Sequence, residues 1–595
     1  MHSRPASLLV RVLAVLLPAV LVILAPALCA NAADAARQIA RIEGTTASDN
    51  SLLIDLGFQI AAARPGEWTD VLVSPEDLDR LERIFPVSRV DDLPAMIPAQ
   101  YHDYGETLTA LQQMVLLHPT IAKLEDIGDG WSKTYNDPDW ALHDVWALKI
   151  SDNVQVDEPE PAILYSGVHH AREPVTVEIC LGIATELLNG YGVDPQITRF
   201  INDHETWIVP IVNVDGHWCV TDLNYTSWRK NCRDNDGNGY PTPADWWSMP
   251  DGVDLNRNYS WHWGGLGSDP DPSGETYKGP SPFSEPETQA TRALALRENF
   301  SFSIDYHSYG EEVMYPYGYD YSTQAPDNAL LSQISQAVRD RIGGNYVSMQ
   351  ANQLYPAAGN SQDWHYGENN CFAWIIETAT EFIPPGTAIP GIVTPNVRGA
   401  LYLQERVDGP GVRGTVRING VPGLATVRLM GIDNPALANS RHSHPVLGDY
   451  YRLTAPGNQT LRFSAPGFDD QEFAVNVPAD GYVTLDVNFG PSAGVADAGH
   501  SAGSAILAAS PNPLRGGTGV DLSWQVPAGA GDGTLTICDT SGRIVARRSI
   551  TTERGSLAWN GRADDGRRIA AGVYFARLSC GGRAEVSKRL VVLPE

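Results

Sequence analysis

Positive charge is scarce in this chain of 595 residues. Lys and Arg number 42 against 71 Asp and Glu, a formal net charge of -29. That balance excludes a nucleic-acid role carried by bulk electrostatics. Charged residues of either sign make up only 19 % of the chain, which together with the acidity suits an exported protein. Cysteine is sparse at seven residues, and none sits where a nucleophile would be expected. Cys180 and Cys371 fall in apolar helix and strand patterns, so both read as buried thiols. Past the first 30 residues no apolar stretch approaches the ~20 residues of a membrane span.

What is present at the N-terminus is a processing signal. Arg4 and Arg11 precede the apolar run Val12 to Leu28, and Ala30-Asn31-Ala32 fits a small-residue cleavage site. Residues 1–32 are therefore expected to be a signal peptide, with a retained membrane anchor as the alternative. The expected location is secreted or cell-surface, with no stable span after signal removal. Export permits disulfides, and the pairs suggested are Cys219 with Cys232 and Cys538 with Cys580. At 595 residues several domains are expected. Residues 33–98 read as a small α/β unit. Leu52 to Gly57 and Trp68 to Val73 are strand-like, and Ser74-Pro75-Glu76-Asp77 opens a helix.

The most informative stretch is Ile163 to Glu173. A short apolar strand runs into a Gly turn, and His170 and Glu173 follow three residues apart. An imidazole and a carboxylate one turn apart can grip one Zn²⁺, which in catalytic sites takes three protein ligands and keeps a position open. A surface His and Glu that happen to share this spacing is the bland alternative. Downstream come Trp228-Arg229-Lys230-Asn231 and Asp254-Leu255-Asn256-Arg257-Asn258-Tyr259. Next are Phe302 to Tyr309, containing His307, and Tyr355 to Trp364, containing Gln362. The strand-like run Phe372 to Thr378 contains Glu377.

In order and wording these motifs resemble the zinc metallocarboxypeptidases of the carboxypeptidase A type, peptidase family M14, in their bacterial secreted form. The resemblance covers roughly residues 100–405. It implies a Zn²⁺ held by His170, Glu173 and His307, and Glu377 as general base. Arg229 would stabilise the oxyanion, and Asn256 and Arg257 would hold the substrate's terminal carboxylate. Tyr355 would close over the bound residue, Gln362 would help set the pocket for its side chain, and Asp254 would orient His170 from behind. His169, beside the ligand, would face away or assist nearby. Two departures stand out. Thr226 occupies a position where an outer substrate-binding arginine is usual. Gln362 is neither apolar nor acidic, so with Ile375 beside it broad or polar-tolerant specificity is expected.

The implied activity is hydrolysis of the C-terminal bond of peptides or proteins. A cell-wall stem-peptide carboxypeptidase is the first alternative, and a non-catalytic surface binding protein the second. Asp234 to Gly239 resembles the start of a calcium loop, with an ordinary Gly/Asn turn as the other reading.

The expected fold is an α/β catalytic domain over 99–405, a mixed sheet with helices on both faces, followed by two all-β sandwiches. Its position before the enzyme makes 33–98 resemble a propeptide, although no clear dibasic cleavage site is present. Residues 409–490 alternate apolar and polar at period two between Gly/Pro turns and resemble a transthyretin-like domain. An Ala/Gly/Ser-rich linker spans 491–505. Residues 506–595 resemble Ig-like modules of the flagellar-hook-cap type, which would engage secretion machinery or act as a spacer.

Overall fold

The computed structural model describes residues 37–135, 142–237 and 251–490, and most of 506–593. The expected signal peptide lies outside the described residues. The chain divides into two compact units, one ending at Phe489 and one beginning at Gly490.

The first unit opens with a four-stranded antiparallel sheet in the order β2-β3-β1-β4. Its strands are β1 (Gln38–Glu43), β2 (Gln59–Arg64), β3 (Trp68–Val73) and β4 (Val87–Asp92). The strand expected at Leu52 to Gly57 is not there. A helix spans Ala47–Asp55 instead, and Thr46 and Asp49 form a reciprocal capping box at its start. Such a cap contributes about 1 kcal/mol, enough to tip a short apolar run that reads equally well either way. Ser74 caps the next helix, Pro75–Leu81, as expected.

The main body of the first unit is built on an eight-stranded mixed sheet ordered β11-β10-β12-β9-β7-β8-β6-β5. These strands are β5 (Ala122–Asp129), β6 (Asp144–Ile150), β7 (Ala162–Gly167), β8 (Glu205–Val209), β9 (Phe302–Ser308), β10 (Glu312–Tyr315), β11 (Val347–Gln350) and β12 (Phe372–Thr378). The four central strands β12, β9, β7 and β8 run parallel. Their residues are nearly all buried, as expected of parallel strands covered on both faces. The helix Ile389–Arg406 packs against both Val175–Gly190 and Asn328–Ile342 beside this sheet. One continuous apolar core runs through the body and includes the fully buried Tyr165, Trp207, Trp364 and Trp374.

Residues 411–489 form two facing sheets around Val412, Val416, Val427, Leu461, Phe463 and Phe489. This sandwich is bolted to the body built on the eight-stranded sheet. Arg452 is buried, donates to Asp327 Oδ2 at 2.9 Å, and is ion-paired with Asp433 as well. Arg441 donates to the carbonyl of Phe300 at 2.6 Å. Removing one partner of a buried ion pair strands the other. Arg452→Ala is therefore expected to destabilise the first unit by about 3–5 kcal/mol, read from its denaturant midpoint. A loss below 1 kcal/mol would show that the bolt is dispensable.

The second unit contains a three-stranded and a five-stranded sheet around Val520, Leu535, Ile537, Trp559 and Leu590. Its strand register overturns one expected disulfide. Cys538 lies opposite Phe575, whereas Cys580 lies opposite Gly533, at the other end of the strand. Five residues of strand separate them by roughly 16 Å, at ~3.3 Å per residue. The other two cysteines lie side by side as free thiols, with Cys219 Sγ 3.3 Å from Cys232 Sγ, so no bond joins them in this structure.

Candidate active site

The strand β7 delivers the first ligands. Gly167 is required where it stands, because a Cβ there would lie 2.9 Å from the carbonyl of Pro210 and 3.1 Å from that of Thr176. The sharp turn itself is taken by Val168, at φ 52°. A β-branched residue in the left-handed region is strained. It is fully buried, and its N–H donates to Thr176 Oγ1 at 3.0 Å. The chain then presents His170 and Glu173 just before the helix Val175–Gly190.

His307 arrives from the end of β9, one residue past Tyr306, the last residue of β9 to pair with β7, opposite Gly167. Three ligand atoms converge. His170 Nδ1 is 2.7 Å from Glu173 Oε1, His307 Nδ1 is 2.9 Å from Glu173 Oε2, and the two Nδ1 atoms are 3.1 Å apart. All three residues are buried. A tetrahedral site with ~2.0–2.1 Å bonds has edges of about 3.3 Å, so two imidazoles and one carboxylate at these separations fit zinc.

Behind the cluster stand two carboxylates. Asp254 Oδ1 lies 3.3 Å from His170 Nε2, out of line for a hydrogen bond. Its Oδ2 accepts from Arg229 Nε and Nη2 at 3.0 and 2.8 Å. Burial opposes its charge, yet Arg229 and His170 hold the carboxyl well below the usual range. The other is Asp305, which the sequence reading did not single out. Its Oδ2 lies 2.9 Å from His307 Nε2, and its Oδ1 lies 2.8 Å from His169 Nδ1. The signal was present in sequence, as an aspartate two residues before the ligand on an otherwise apolar strand.

Arg229 and Arg257 line a cavity of about 660 Å³ together with Tyr355 and Glu275. Arg257 is held by the carbonyls of Gly267 and Asn256 at 2.7 and 2.8 Å. Asn256 is tied inward: its Oδ1 accepts from Ser361 N at 2.8 Å, and its Nδ2 lies 3.3 Å from His307 Nε2. Asp254 thus joins the cavity to the ligand cluster, touching Arg229 on one side and His170 on the other.

Glu377 sits on β12 directly opposite His307 of β9 and Glu312 of β10. The side chain keeps partial exposure, but Oε2 is shut from water and has no partner. Burial pushes its carboxyl up to about 8, with His307 pulling the other way. Gln362 is 1 % exposed, and Nε2 donates to the carbonyl of Met314 at 2.6 Å, leaving Oε1 without a partner. Ile375 is buried in an apolar cluster with Met314 and Tyr355. Thr226 is buried and donates to the carbonyl of Pro94 at 2.7 Å, so it offers nothing to a ligand. In the proposed calcium loop, Asn238 and Gly239 lie outside the described residues. Asp234 Oδ1 accepts from Gly237 N at 2.6 Å, as in an ordinary turn.

Comparison with known proteins decides the family. Residues 107–399 match the zinc carboxypeptidase model of peptidase M14. This part of the chain belongs to the zinc carboxypeptidase family. A zinc carboxypeptidase of Saccharothrix mutabilis subsp. capreolus is 33 % identical over 298 residues, 48 % of this chain and 63 % of the relative. A metallocarboxypeptidase A of Trichophyton tonsurans is 31 % identical over 274 residues, 44 % of this chain and 60 % of the relative. The matches therefore span less than two thirds of these relatives. The crystal structure of a carboxypeptidase A from Helicoverpa armigera shares the fold, at TM-score 0.51 and 21 % identity, over 61 % of this chain and 96 % of that one. Residues 511–580 match the FlgD Ig-like domain model.

Proposed function

We propose that this zinc carboxypeptidase domain is an exported exopeptidase that removes single residues from the free C-termini of peptides or proteins. The observation that carries the reading is the sharing of Asp254 between the ligand cluster and the arginine-lined cavity. A metal-ligand site alone would suit any zinc hydrolase. Two fixed guanidinium groups a carboxylate away from it suit a substrate that ends in a negative charge.

His170, Glu173 and His307 would hold the zinc. When bound, the ion would supply Lewis acidity toward the scissile carbonyl and make nearby water more acidic. The remaining work belongs to the chain. Arg257 clamps the terminal carboxylate, with Asn256 beside it. Arg229, held in place by Asp254, faces the oxygen on which negative charge develops. Glu377 takes a proton from water and passes it to the leaving amine. Tyr355, at the wall of the cavity, covers the bound residue. Gln362 offers a fixed carbonyl oxygen beside Ile375 and Met314, which favours C-terminal side chains that combine an apolar stem with a hydrogen-bond donor. Residues 1–32 would direct export, and the FlgD-like unit would serve sorting or attachment.

Arg257→Ala should raise KM for peptides with a free C-terminus by about 10–100-fold, the worth of a charged hydrogen-bond pair. Hydrolysis of C-terminally amidated peptides, already poor, should not change. An unaltered KM would remove the clamp role. The test of the whole reading is mass spectrometry of a peptide library incubated with the protein freed of residues 33–98, with and without a zinc chelator. Chelator-sensitive loss of single C-terminal residues, richest for donor-bearing side chains, is expected. Internal cleavage, chelator-insensitive trimming, or no trimming despite bound zinc would overturn it.

A further inference from the structure

The zinc cluster has a second orienting carboxylate, on the ligand that the first does not reach. Asp305 is buried and both of its oxygens are committed. Oδ2 meets His307 Nε2 at 2.9 Å and accepts from Ser361 Oγ at 2.7 Å. Oδ1 meets His169 Nδ1 at 2.8 Å and accepts from Ser166 Oγ at 3.1 Å. His169 is held in turn, with Nε2 2.8 Å from the hydroxyl of Tyr259, which contacts Thr291 Oγ1 at 3.1 Å. All seven of these side chains are buried.

The chemistry of the chain sets its direction. A carboxylate only accepts. Asp305 therefore takes an N–H from each imidazole, and at 2.9 Å it outcompetes the amide of Asn256, whose Nδ2 only donates and lies 3.3 Å from the same nitrogen, so His307 carries its proton on Nε2. That leaves Nδ1, the atom facing Glu173 and His170, as the coordinating nitrogen. On the other side, His169 has its proton on Nδ1, so its Nε2 accepts from the Tyr259 hydroxyl. The array locks both the tautomer and the rotation of the His307 ring. The contact is shorter than that between Asp254 and His170, which is 3.3 Å.

We infer that Asp305, braced by His169 and Tyr259, is a positioning residue that orients His307 and thereby sets the affinity of this protein for zinc. The inference rests on the zinc reading above. It also accounts for the doublet His169-His170: one histidine is a ligand, and the other supports the opposite ligand through Asp305.

The test is zinc affinity, measured on the full chain by competition with a chromophoric chelator after metal removal. The parent is measured first. A parent that takes up no zinc overturns the metal reading itself, and with it this one. With a zinc-binding parent, Asp305→Asn should weaken zinc by about 10–100-fold, the usual effect of losing an outer partner of a metal ligand. Asparagine is isosteric but must turn an N–H₂ toward one of two donor rings. At saturating zinc its KM should stay within twofold of the parent, because the carboxylate clamp is untouched. A merely structural role would lower the unfolding temperature of the metal-free protein and leave zinc affinity unmoved. His169→Phe keeps the ring volume, removes one donor from Asp305, and should weaken zinc by roughly three- to tenfold. It decides the matter if Asp305→Asn does not fold. Zinc affinity within twofold of the parent in the folded variant would overturn the inference.

Discussion

Glu377→Gln is expected to keep one bound zinc and lose activity by about 10²–10⁴-fold, the usual contribution of a positioned acid–base group. The carboxyl belongs to no ligand pair, so metal content should not change. The amide has the same shape but cannot take a proton from water. The position is prepared for the role. Register places Glu377 beside His307 across the parallel β9–β12 ladder, and Oε2 is left without a partner. On its other flank is Glu312, fully buried with both carboxylate oxygens unpartnered, whose carboxyl burial drives well above the usual range. Activity within tenfold of the parent, at equal zinc content, would sink the base assignment. Loss of zinc along with activity would mean that Glu377 supports the ligands instead.

The second large effect is expected from the segment before the catalytic body. Its sheet lies over the crevice and fastens itself to the site by several contacts. Arg37 and Gln59 donate to Glu275 at 2.9 and 2.7 Å, on the rim of the arginine-lined cavity. Asp70, doubly bonded by Arg41, accepts from the Tyr309 hydroxyl at 2.8 Å. Arg64 donates to the carbonyl of Gly310 at 2.7 Å, next to β10. Ile42, Phe58, Ile60 and Val71 pack with Met314, Leu354 and Ile375. A tethered cover competes with substrate at an effective concentration in the millimolar range. Cutting the chain between Leu93 and Asp103, through a protease site introduced near the exposed Met96, should raise kcat/KM by at least about tenfold. The gain should vanish when the severed segment is added back in excess. Equal activity before and after cleavage would make residues 33–98 a permanent accessory domain.

The parts of the site that were legible in sequence are those whose spacing is local. His170 and Glu173 are three residues apart, and a single turn of chain brings them to one point. Glu377 and His307 each lie at the end of an apolar run, so their place at the carboxyl ends of buried strands could be read directly. The helix at Ala47–Asp55 was missed because nine residues of mixed pattern do not choose between periods, and a cap made the choice. The pairing of Cys538 with Cys580 failed for a related reason. Both sit on strands of one sheet, but register alone says which residues face each other.

The sequence by itself determined the chemistry available here: two imidazoles and a carboxylate for a metal, two arginines for an anion, and a glutamate on an apolar strand. Only the tertiary structure decided which groups serve one another. His169 and Asp305 are 136 residues apart in the chain, and Glu173 and His307 are 134 apart. They meet because β7 and β9 are parallel neighbours in a fixed register. A one-residue slip would turn every side chain on β9 to the other face, carrying His307 and Asp305 away from the metal site together. The free oxygen of Gln362 and the cover over the crevice have the same origin. Each depends on long-range packing and hydrogen bonding, which no local pattern of residues encodes.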